Sequence, residues 1–119
     1  KFLLSPLEMA SFVDSFASEY LKVYFDIGNI VYCGYPEHWI NILGKRISFV
    51  HIKDFKRDIG NINGFCHLLT GDVNWPAVMD ALRKIDYNGY ITLEVPPYHY
   101  LGGVGMRHSI EIIKKLLEL

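Results

Sequence analysis

Asp26, His51 and Glu94 are the side chains in this sequence with the most chemistry to offer, because each closes a short apolar run. Leu21, Lys22, Val23, Tyr24 and Phe25 lead into Asp26. Ile47, Ser48, Phe49 and Val50 lead into His51, and Tyr90, Ile91, Thr92 and Leu93 lead into Glu94. Two carboxylates and an imidazole make a mixed O/N donor set. Such a set suits a hard divalent ion with room for substrate oxygens, Mn²⁺, Mg²⁺ or Co²⁺, with Zn²⁺ as a further option. One acidic residue at a strand end is more often a helix cap or a salt-bridge partner. Three chelating residues at the same topological place are what favours a metal. His51 reads as a strand-end residue rather than a core histidine, since Lys53 and Asp54 follow it at once.

The elements that must position this trio are legible. Each run is rich in β-branched or aromatic residues, and each is followed by turn chemistry and then a helical pattern. That rhythm predicts an α/β fold with parallel strands and crossover helices. In a parallel sheet all strand C-termini lie at one end, so the three side chains should converge. His51 follows Asp26 by 25 residues and Glu94 follows His51 by 43. A βαβ unit takes ~30 residues, so the second interval holds one unit plus a long loop.

The chain opens with a helix signal. Ser5, Pro6, Leu7 and Glu8 form a capping box with proline at the first helical position, fed by a loop over Lys1–Leu4. Met9, Phe12, Val13 and Phe16 give the apolar stripe. Gly28 and Asn29 form the exit from the Asp26 strand. A helix over Pro36–Leu43 carries Trp39, Ile40 and Leu43 and stops at Gly44. The stretch from Lys53 to Gly71 reads as a polar, irregular loop, of the kind that serves as a lid or binding loop. Asn74 caps a helix with Val78, Leu82 and Ile85 on its buried side. Asp86 to Gly89 is a turn, and Pro96-Pro97 ends the Glu94 strand. Gly102, Gly103 and Gly105 read as a loose linker. The last helix is predicted over Arg107–Leu119, with Ile110, Ile113, Leu116 and Leu117 on one face.

Other polar residues carry weaker signals. Lys53, Asp54, Lys56 and Arg57 cluster just past His51 and could bind substrate hydroxyls or a phosphate; for Lys56 a solvated loop is the better reading. His67 is more often ordinary loop than a ligand, and His38 reads as surface. Trp39 and Trp75 fall on helical faces and read as packing. Tyr98, His99 and Tyr100 could border a ligand site or pack at an interface.

Bulk properties narrow the class. At 119 residues the chain has the size of one domain, 1–119, and half of it is apolar. Its formal net charge of −1 argues against nucleic acid as an obligatory partner. No apolar run approaches the ~18 residues of a membrane span. No signal peptide is visible. Cys33 and Cys66 lack metal-site spacing and read as reduced thiols of a cytoplasmic protein, a single disulfide being the alternative.

Five segments in this order, VYFDIGN, GYPEHWI, RISFVHIKDF, GDVNW and GYITLEV, resemble the C-terminal part of the xylose isomerase-like TIM barrels. Within them the chain is most similar to the sugar-phosphate isomerase/epimerase family, which includes ketose 3-epimerases. The resemblance implies strands six to eight of a (β/α)₈ barrel, incomplete as given. It implies that Asp26, His51 and Glu94 match three of four metal ligands, the fourth being a strand-five glutamate a few residues before Lys1. Arg57 stands where some epimerases keep a substrate-binding arginine, and Asn29 where some have a histidine. The implied activity is isomerisation or epimerisation of a sugar or sugar phosphate through an enediolate. Two glutamates, Glu94 and the strand-five residue, exchange the proton.

Without that second glutamate the 119-residue chain is expected to be inactive by itself. A non-catalytic truncated barrel is the alternative, associating with another copy of itself or with the missing N-terminal half. An endonuclease IV-like phosphodiesterase is the weakest option. It needs several zinc ions, more strand-end histidines and a basic face.

Overall fold

The computed structural model of the chain describes residues 3–119. Lys1 and Phe2, part of the feeding loop expected at the start, lie outside the described residues. The first helix, α1 (Pro6–Ser15), has the full capping box: Ser5 Oγ accepts from the Glu8 amide at 3.1 Å, and Glu8 Oε2 accepts from the Ser5 amide at 3.1 Å. Its stripe is narrower than the sequence suggests. Val13 is buried and Met9 packs against the core, whereas Phe12 and Phe16 lie at the surface with their rings edge to face at 5.1 Å.

Strand β1 (Val23–Asp26) runs into a one-turn helix, α2 (Ile27–Val31), where the sequence suggests only a glycine exit. Helix α3 (Pro36–Leu43) ends at Gly44, whose φ of 54° lies in the left-handed region that glycine tolerates. Strand β2 (Ile47–Ile52) follows, then the strand pair β3 (Asp54–Phe55) and β4 (Phe65–Cys66), helix α4 (Trp75–Lys84), strand β5 (Tyr90–Leu93) and helix α5 (Gly102–Leu117). The sheet order is β1-β2-β5, with both pairings parallel. The helices cover one face. Phe25, Val50 and Ile52 point into them and meet Ile40, Leu43, Val78, Leu82 and Leu116 in one core. Trp39 and Trp75 are buried in that core, as packing residues should be.

Three expectations fail. The Lys53–Gly71 stretch is not irregular throughout: β3 and β4 form an antiparallel hairpin with Asp54 opposite Cys66 and Phe55 opposite Phe65. A tight turn over Ile62–Gly64 feeds it. Two-residue strands are too short for alternation to reveal them. The glycines 102, 103 and 105 are not a linker but the first turns of α5. Low helix propensity is outweighed there by packing, since a Cβ on Gly105 would sit 2.9 Å from the Tyr98 ring. The buried side of α5 is Gly105, Ser109, Ile112, Ile113 and Leu116. Ile110 and Leu117, expected there, face outward.

Candidate metal centre

Parallel pairing sets Asp26 beside His51 and His51 beside Thr92, and Glu94 lies two residues beyond Thr92. Residues paired across a parallel sheet share a face, and alternate residues along a strand return to it. Asp26, His51 and Glu94 therefore project from one face, at one end of the sheet.

This depends on an irregularity. Val23 pairs with Ile47, but the next residue, Tyr24, pairs with Phe49. Ser48 is the extra residue of a bulge on β2. Continued without it, the register would set Asp26 beside Val50 and turn His51 to the opposite face.

Each of the three side chains has its own support. Asp26 caps α2, with Oδ1 accepting from the Asn29 amide at 2.9 Å. That leaves Oδ2 for the centre, 3.5 Å from His51 Nδ1. His51 Nδ1 is 3.0 Å from Glu94 Oε2. The imidazole packs on Tyr24, ring centroids 4.2 Å apart, and the Tyr24 hydroxyl crosses β2 to donate to Thr92 Oγ1 at 3.0 Å. The Glu94 amide extends the ladder by donating to the Ile52 carbonyl at 3.1 Å.

Among the described residues, these three form a group whose ligand atoms lie within 4.8 Å of one another. Ligands at right angles around an ion ~2.1 Å away stand about 3 Å apart. The separations of 3.0 and 3.5 Å therefore fit one shared divalent ion.

Lys53 enters the centre directly. Its Nζ is 3.0 Å from Asp26 Oδ2 and 3.2 Å from Glu94 Oε2, so the ammonium bridges the two carboxylates. It is 7 % exposed, and the Phe65 ring lies 4.3 Å from Nζ. Gly28 makes room for its stem, because a Cβ there would come within 2.6 Å of Lys53 Cγ. With a neutral imidazole, two carboxylates and one ammonium leave the centre negative.

The other sequence candidates lie elsewhere. Arg57 donates through Nε to the Val31 carbonyl at 3.0 Å and through Nη2 to the Gly34 carbonyl at 2.8 Å, with its guanidinium over the Tyr35 ring. Those bonds tie it to the end of α2 and the turn that follows. His67 meets the Tyr98 ring edge to face at 4.8 Å, and the Tyr98 hydroxyl lies 3.2 Å from His108 Nδ1. His38 is exposed, and so are His99 and Tyr100.

Sequence reasoning gave Tyr24 and Gly28 no part in the site and grouped Asp54 with residues that could bind substrate. Tyr24 had a signal, its place two residues before Asp26 on an alternating strand. Asp54 is fully buried. Its carboxylate accepts from the amides of Phe55, Gly71 and Val73 and from Trp75 Nε1, at 2.9–3.2 Å. It fastens the segment leading out of β2 to the loop before α4. A cavity of about 310 Å³ lies under His67, Val95, Tyr98 and Met106. Another of about 320 Å³ lies between Asn29, Tyr32, Phe55 and Phe65.

Solved structures share this fold. A D-tagatose 3-epimerase-like protein superposes with a TM-score of 0.80 at 27% identity, covering 98% of this chain and 42% of that one. A xylose isomerase domain protein from Planctomyces limnophilus gives 0.78 at 21% identity, with coverage of 98% and 42%. A D-allulose 3-epimerase from Methylomonas sp., solved with D-allulose, gives 0.73 at 21% identity, with coverage of 93% and 42%. The chain thus spans 42% of the length of these relatives, and its three-stranded sheet corresponds to part of a TIM barrel. No curated protein matches it. By its match to the xylose isomerase-like TIM barrel family over residues 1–116, the chain belongs to that family.

Proposed function

We propose that this chain carries three metal ligands and one acid/base group of a sugar or sugar-phosphate isomerase or epimerase. The observation that carries the reading is the meeting of Asp26 Oδ2, His51 Nδ1 and Glu94 Oε2 at the ends of adjacent parallel strands. The D-tagatose 3-epimerase-like relative supports a sugar as the substrate class. A divalent ion bound by these residues supplies Lewis-acid stabilisation of the negative charge that develops on substrate oxygens.

The protein's own groups do the rest. Glu94 is half exposed, and His51 and Lys53 engage its Oε2. That leaves Oε1 to take a proton from the carbon beside the substrate carbonyl and to return it. A second glutamate, on the other face of the substrate, belongs to the rest of the barrel. Tyr24 orients the imidazole, and Lys53 is within reach to donate to a substrate oxygen. Arg57, anchored on Val31 and Gly34, would contact the hydroxyls farther from the reacting carbon.

The test is a Mn²⁺ titration followed by electron paramagnetic resonance. One weak site per chain is expected, and Asp26→Asn and His51→Ala should each weaken it at least about tenfold. Equal binding by these variants, or no binding at millimolar Mn²⁺ by any chain that keeps the three ligands, would overturn the metal reading. Turnover is expected only when the remaining βα units are supplied. Ketose epimerisation by the chain alone would show that a second glutamate is not needed.

A further inference from the structure

The geometry points to a second role for Lys53, one that concerns the metal rather than the substrate: we infer that its ammonium is a resident counter-cation that opposes divalent-metal charge and sets the affinity of the centre. The inference rests on the metal reading above.

The contacts are specific. Nζ touches Asp26 Oδ2 and Glu94 Oε2, at 3.0 and 3.2 Å, which are oxygens of the ligand trio itself. A surface lysine would wander, but this one is confined. Its side chain is 9% exposed, Gly28 lies against its stem and Phe65 lies beside its head. A lysine pays rotamer entropy to be held like this, and its desolvated charge needs both carboxylates.

A fixed positive charge on the two ligand oxygens acts on an incoming divalent ion in one direction. It draws away electron density that the metal would use, and it repels the metal's charge across a partly buried, weakly screened centre. Removing that charge should therefore tighten metal binding. A merely structural role predicts the reverse, because losing a buried hydrogen-bond donor would loosen the ligands. The ligands do not depend on Lys53 for their aim. Asp26 is held through Oδ1 by the Asn29 amide, His51 by the Tyr24 ring, and Glu94 keeps the contact of its Oε2 with His51 Nδ1.

The decisive measurement is Mn²⁺ affinity, at fixed pH and ionic strength, for the wild-type chain and Lys53→Gln. Glutamine keeps a donor on a shorter stem and drops the charge. Binding should tighten by about tenfold or more, a change one nearby unit charge can cause at an effective dielectric of ~20. The metal-free variant should melt at a lower temperature than wild type and recover more on adding Mn²⁺, because two carboxylates have lost their cation. If Lys53→Gln does not fold without metal, Lys53→Met carries the same expectation, with folding started in the presence of Mn²⁺. Unchanged or weaker Mn²⁺ binding overturns the counter-cation role while leaving the metal reading intact. If neither wild type nor variant binds Mn²⁺, the metal reading itself fails. Binding gained only by the neutral variant supports both.

Discussion

Lys53 can enter the centre only because residue 28 has no side chain. An added methyl would meet Lys53 Cγ at 2.6 Å and the Lys53 carbonyl oxygen at 3.2 Å. The carbonyl belongs to the backbone beside a fully buried Asp54, so it has little freedom to retreat. Gly28→Ala should therefore destabilise by roughly 1–3 kcal/mol, the usual cost of overpacking. It should also move the ammonium off Asp26 and Glu94. Chemical denaturation checks the first effect. A change in Mn²⁺ affinity in the same direction as Lys53→Gln checks the second. A stable variant with wild-type metal binding would mean that the lysine stem has a second route.

At the scale of elements, the strands set the ligands, and Asp54 sets what surrounds them. Its carboxylate gathers the Phe55, Gly71 and Val73 amides and the Trp75 indole. The hairpin β3–β4, the loop before α4 and the start of α4 are joined at this one side chain. Gly71 belongs to the same junction, since a Cβ there would clash with the carboxylate. Asp54→Ala would strand several buried donors at once. Each costs ~1–3 kcal/mol when left without a partner, so a loss of at least ~3 kcal/mol is expected. Denaturant unfolding would measure it. Limited proteolysis should find new cleavage between residues 56 and 70, where the hairpin has lost its anchor. Unchanged stability would mean that water replaces the carboxylate at every donor.

For the whole molecule the governing fact is a parallel sheet covered on one face only. Tyr24, Phe49 and Tyr90 form an aromatic band on the other face and are 52%, 41% and 78% exposed. Phe49 and Tyr90 are stacked at 6.2 Å, and Tyr24 lies 5.3 Å from Phe49. Parallel sheets normally have both faces covered. The radius of gyration, 14.7 Å, exceeds the ~13.5 Å of a compact chain of this length. We expect the purified 119-residue chain to bury this band against another copy. Sedimentation should then show concentration-dependent association, weakened by Phe49→Ser, which removes an exposed aromatic without opening the core. A monomer at high concentration would count against association through this face.

Local chemistry made much of this protein readable from its sequence. The capping box at Ser5 and Asn74 before α4 satisfy orphan amides within one turn, and proline at the start of α3 removes one, so helix starts can be read from neighbours alone. The three strands were legible because apolar runs bounded by turns have few other uses. The strand-end residues followed from the parallel topology those strands require. Tertiary packing decided the rest. The bulge at Ser48 puts Asp26 beside His51, and register across strands is a contact between segments 25 residues apart that neither carries locally. The glycines before Arg107 became helix where Gly105 packs against the Tyr98 ring. Lys53 read as one of a polar cluster that could bind substrate, yet it became the buried cation of the centre. Its surroundings come from Asp26 and Gly28, from Phe65 and from Glu94, on three separate stretches of chain that meet only when the sheet forms.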